Sequence, residues 1–152
     1  MMIATQLAQN IRGIFFGGNW TVSNLKDVLS DLHWEQACKK DPNSNSIIAL
    51  VYHISYFVTA ATNVLEGRPI NASDKFSFDH PSISSQEEWN EFLDKIYQDA
   101  ENLATLVESL TDKKVWEVFE EEKYGNYFQN IVGIIEHAHY HLGQIVILKK
   151  QL

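Results

Sequence analysis

Glu136-His137-Ala138-His139-Tyr140-His141-Leu142-Gly143-Gln144 lies inside an apolar run, residues 128 to 148, that holds no proline and reads as one helix. At about 100° per residue, Phe128, Ile131, Ile135, Ala138, Leu142 and Ile145 share one stripe. His137 and His141 stack one turn apart on a shoulder of that stripe. His139 falls roughly 200° round from His137, which places it at a surface or interface. Two imidazoles at this spacing, half inside a core, fit convergence on a single metal ion. On the pair alone, the commoner reading is two histidines satisfied by hydrogen bonds where helices meet.

The chain of 152 residues suits one domain, residues 1–152, with a real core. Hydrophobic residues make up 45% and four are tryptophan, the composition of a globular protein. Twenty acids against twelve bases leave a net charge of −8, and lysines cluster only as the pairs at 39–40, 113–114 and 149–150. Such a surface lacks the positive face that nucleic acid requires. The single cysteine, Cys38, excludes an intramolecular disulfide and suits a reducing cytoplasm; its place four residues after Trp34 reads as a small buried filler. No signal-peptide pattern opens the sequence, and no apolar stretch reaches the ~18 residues expected of a membrane span.

Helical spacing of Ile3, Leu7, Ile11, Ile14 and Phe15 predicts a first long helix over 3–16, broken by Gly17-Gly18. Thr21 is expected to cap a short helix carrying Val22, Leu25, Val28 and Leu29, and Asp31 another around Trp34 and Ala37. Ser46 caps a second long helix to about Glu66, apolar nearly all round and therefore central. An irregular connection follows, and Ser85 with Glu88 forms a capping box that opens a third helix whose period runs from Trp89 through Leu110. Thr111 suits a short turn, Glu120 to Lys123 a solvated charged stretch, and Asn126 with Gln129 a capping box for the last helix. Four long amphipathic helices and no strand alternation predict an all-α protein, a four-helix bundle.

His53 sits midway along the most apolar helix, where an unsatisfied buried imidazole costs about 1–3 kcal/mol. A hydrogen-bonding neighbour would relieve that cost, and so would a metal ion shared with His137 and His141. Here the sequence resembles the DinB-like family of four-helix-bundle metalloproteins, including YfiT-type metal-dependent hydrolases. The carrying residues are Ser46-Ile47-Ile48-Ala49-Leu50-Val51-Tyr52-His53 and His137-Ala138-His139-Tyr140-His141-Leu142-Gly143-Gln144-Ile145. Weaker echoes are Gly18-Asn19-Trp20-Thr21 with Asn24-Leu25, and Trp34-Glu35-Gln36-Ala37.

The resemblance implies an up-down-down-up bundle holding a divalent ion on His53, His137 and His141, often in homodimers. It also implies a small-molecule substrate. Relatives of this kind include transferases and isomerases that use low-molecular-weight thiols such as bacillithiol or mycothiol. Three neutral imidazoles leave coordination positions open, so such an ion can lower the pKa of a bound water or activate a thiol. Zinc, nickel, iron and manganese all remain compatible. Metalloprotease chemistry would need Glu after the first histidine, and that position is Ala138. Gln144, one turn beyond His141, is a candidate to orient an imidazole, a water or a ligand, or else to bond between helices. His33 and His80 read as solvated, although His80 or Asp79 could reach over a site; Trp20, Trp34, Tyr52 and Tyr56 are candidates to wall it. Three readings follow: a metal-dependent thiol S-transferase or hydrolase, a non-catalytic metal-dependent binding module, and a bundle whose histidines serve only as core hydrogen-bond partners.

Overall fold

Seven α-helices form in the computed structural model, which describes residues 2–152, and no strand is formed among them. They are α1 (Ile3–Phe16), α2 (Leu25–Leu29), α3 (Trp34–Ala37), α4 (Ile47–Leu65), α5 (Gln86–Glu108), α6 (Asp112–Val115) and α7 (Tyr127–Lys149). Of the four long ones, α1 and α4 each pack against both α5 and α7. One continuous apolar core lies between them, built on side chains such as Ile11, Ile48, Ile54, Trp89, Leu103, Ile131 and Ile145.

The helix starts follow capping chemistry. Ser46 and Ser85 accept from the backbone N–H groups of Ala49 and Glu88, and Thr111 accepts from Lys114. Glu88 closes its box one residue further out than expected, accepting from Ser84 at 2.7 Å. Asn126 and Gln129 cap each other reciprocally at 2.9 and 3.1 Å. Gly125 makes this possible: its φ of 75° and ψ of −151° suit glycine, and a Cβ there would come 2.2 Å from Gln129 Oε1.

Two expected caps are corrected. Asn24, not Thr21, caps α2, because Asn19 clamps the preceding loop and takes the Thr21 hydroxyl and backbone N–H for itself. Val22 consequently lies outside the helix, 85% exposed with φ 65°. His33 precedes α3, while Asp31 pairs with Lys149 at the end of α7.

The expectation about membrane-length segments is also corrected. Both α4 and α7 are long and apolar enough to cross a membrane by length and composition. Counting uninterrupted apolar residues missed them, because uncharged polar residues such as Ser55, Thr59 and Asn130 break the run at little cost in hydropathy. Most of α4 is buried inside this fold, whereas α7 keeps much of its surface exposed.

Candidate metal centre

His53 projects from α4 and His137 and His141 from α7, two helices packed against each other. The ring centroids form a near-equilateral triangle: 4.8 Å from His53 to each of the others and 4.5 Å between His137 and His141. One ring nitrogen from each lies within 4.8 Å of the other two. His53 and His141 are buried and His137 is half-buried.

Hydrogen bonds fix which nitrogen each ring presents. The His141 Nδ1–H donates to Gln144 Oε1 at 2.7 Å, and the His53 Nδ1–H donates to the Ser77 carbonyl at 3.3 Å. Both partners are oxygens that can only accept, so the proton sits on Nδ1 and the Nε2 lone pair faces inward. His53 Nε2 has no hydrogen-bond partner among the described residues. His137 Nε2 stands 3.0 Å from His141 Nε2, either as a donor to its lone pair or as a fellow ligand.

The donor set fits a metal ion. Imidazoles bound at about 2.0–2.1 Å hold their nitrogens roughly 3–3.5 Å apart. The His137–His141 separation of 3.0 Å meets this, and all three ligand nitrogens lie within 4.8 Å of one another. The charge state agrees. Burial, then the neighbouring His141 and His53, pushes His137 down from 6.5 to about 4. Burial, then His141, lowers His53 as well. Neutral rings with free lone pairs are what a divalent ion requires.

The connection between α4 and α5 completes the site. Phe78 lies flat on His53, centroids 4.0 Å apart and 8° from parallel, beside the buried Ser77 whose carbonyl holds the ring. Phe57, one turn after His53, meets His137 edge-on at 5.0 Å. Sequence reasoning gave neither Ser77 nor Phe78 a role at the site, because a backbone carbonyl leaves no signature and an aromatic in an irregular connection has no period to place it. A cavity of about 290 Å³ opens at His137, between Phe57, Gln129, Asn130, Gly133 and Ile134.

The remaining candidates lie elsewhere. His139, expected at a surface or interface, is half-buried, its Nδ1 on the Ile135 carbonyl at 3.1 Å and its Nε2 buried without a partner among the described residues. His80 bonds to the Pro81 carbonyl, and His33 stands 3.8 Å from Glu35 at the start of α3. Trp20 is 99% exposed and walls nothing. Trp34 is partly buried against the core, and Tyr52 and Tyr56 line a separate cavity against α5. Cys38 is half-buried and burial raises its thiol, as befits a filler. Among the described residues no carboxylate joins the three rings as a ligand, although Asp74 is near enough for its charge to act on His53 and His137, and Glu136 is exposed on another face.

A family model described as the DinB superfamily matches residues 19–145, a span that takes in all three clustered histidines and Gln144. No curated protein and no solved structure matches the chain.

Proposed function

The chain belongs to the DinB superfamily, and from that premise we infer that it is a divalent-metal-dependent enzyme acting on small molecules, of the thiol S-transferase or hydrolase type. His53, His137 and His141 would hold the ion, which is zinc, nickel, iron or manganese. The observation that carries this reading is the pair of acceptors, Gln144 Oε1 and the Ser77 carbonyl, that turn two Nε2 lone pairs toward one point. Outer partners of this kind fix the tautomer and raise the basicity of metal-binding imidazoles. When bound, the ion would supply a Lewis acid able to hold a hydroxide or a thiolate at neutral pH.

This chain's own residues would do the rest. Gln144 holds the His141 proton on Nδ1, Ser77 holds that of His53, and Phe78 and Phe57 screen the rings from water. Substrate would enter by the cavity at His137, with a low-molecular-weight thiol as cosubstrate in the transferase version. We take residues 1–152 as one domain, the long helices as an up-down-down-up four-helix bundle, and the protein as a cytoplasmic homodimer that binds neither nucleic acid nor membrane. Exposed Tyr140 and Ile147 on α7 support the dimer, and the net charge of −8 supports the exclusion of nucleic acid.

A second reading, a non-catalytic metal-dependent binding module, draws on the lack of any carboxylate in the cluster to serve as a general base. Two assays separate the readings: metal content by mass spectrometry, and thiol conjugation to electrophiles with and without chelator. Stoichiometric metal with chelator-sensitive turnover supports the enzyme. Metal without turnover on any electrophile or ester class leaves the binding module. Background metal in the wild type removes both.

A further inference from the structure

On the face of α4 adjacent to His53 lies a cavity of about 380 Å³ between α4, α5 and the connection joining them. Its size falls within the roughly 300–1,000 Å³ of small-molecule pockets. Its walls are aromatic and aliphatic, with Tyr52, Tyr56 and Phe92 prominent. Its roof is tied down at two points: the Ile70 N–H donates to Glu120 Oε1 at 3.2 Å, and the Ser73 N–H donates to Tyr56 Oη at 2.9 Å.

Three polar side chains border this cavity with their hydrogen-bonding groups unused among the described residues: Ser55, Asn63 and Asn71. Ser55 is a buried residue, but its hydroxyl keeps solvent access at the cavity wall and is free to meet a ligand. Asn71 is exposed at the rim and adopts a left-handed conformation, φ 39°, which asparagine tolerates better than most residues. The one cation at the rim, Lys95, is engaged by Asp99 at 2.7 Å, so the cavity carries no free charge from that pair. Each carboxamide sets a donor beside an acceptor, the complement of another amide or of a lactam edge on a planar ring.

We propose that this cavity is a binding site, separate from the histidine cluster, for a neutral planar small molecule carrying a carboxamide or a heteroaromatic lactam. Stacking against Tyr52, Tyr56 and Phe92 supplies apolar contact, and Asn63, Asn71 and Ser55 supply recognition. No part of this depends on a metal ion.

The test is an NMR titration of isotope-labelled protein with nicotinamide and with uracil, run in chelator and again with added zinc. Saturable shifts are expected with at least one probe, mapping to Ser55, Asn63 and Asn71, at a Kd between micromolar and millimolar and the same in both conditions. Asn63→Ala should weaken binding roughly tenfold. Thr59→Trp, an exposed position at the cavity wall, should fill the space and abolish binding while leaving the melting curve unchanged. The proposal is overturned by no saturable shift with either probe up to about 10 mM. It is equally overturned by shifts centred on the histidines, or by wild-type affinity in Thr59→Trp.

Discussion

His141 has both ring nitrogens committed, one to Gln144 and one toward the cluster, so Gln144 can be tested apart from the ligands themselves. Gln144→Leu should leave metal bound but lower its affinity about 10- to 100-fold, read by competition with a chromophoric chelator. His53→Ala or His137→Ala should bring metal content to background, whereas His139→Ala should leave it at the wild-type level. Acid should act through His137. With a folded value of about 4 against an ordinary 6.5, this ring takes up a proton more readily in the unfolded chain. Stability of chelator-treated protein therefore falls as pH drops from about 6.5 toward 4, and this contribution is flat above that window. Urea midpoints across the window should fall less steeply for His137→Gln; an unchanged slope would remove His137 as the cause.

At the scale of the elements, what was legible and what was not divides by periodicity. The last helix could be read from the 3.6-residue spacing of its apolar side chains, which put the His137/His141 pair on a shoulder of the stripe, and the second long helix, apolar nearly all round, put His53 in the middle of the bundle. Ser46, Ser85, Thr111 and Asn126 announced their helices because a side-chain oxygen there satisfies a free backbone N–H. The connection from residue 66 to 85 could not be read this way. Irregular backbone has no period, and the Ser77 carbonyl acts through an atom every residue possesses. The start of α2 was misplaced because Thr21 and Asn24 are both competent caps, and a local clamp by Asn19, two residues before Thr21, decided between them. Two element-scale outcomes follow. Gly125→Ala collides with Gln129 and forces a glycine-only conformation, so it should cost roughly 1–3 kcal/mol in chemical denaturation. Phe78→Ala should uncover His53 and speed metal release to a chelator several-fold while sparing the fold, since Phe78 is 38% exposed.

For the whole molecule, the four long helices bring an α4 residue and two α7 residues, more than eighty positions apart in the chain, to one spot. Such a site should link metal binding to global stability. Metal at about 100 times its Kd adds roughly 2.7 kcal/mol, which at this size raises Tm by about 5–10 °C. Calorimetry with and without chelator checks this. The exposed stripe on α7 that carries Tyr140 and Ile147, 65% and 59% exposed, is the face we propose for self-association. Sedimentation should find a dimer that Tyr140→Glu with Ile147→Glu converts to monomer; a monomeric wild type would withdraw that proposal. The most direct measurement is a crystallographic anomalous-difference map recorded at the absorption edge of whichever metal copurifies. One peak within bonding distance of His53, His137 and His141 Nε2 is predicted. A clear map with no peak there, or with the metal held elsewhere on the chain, would contradict it.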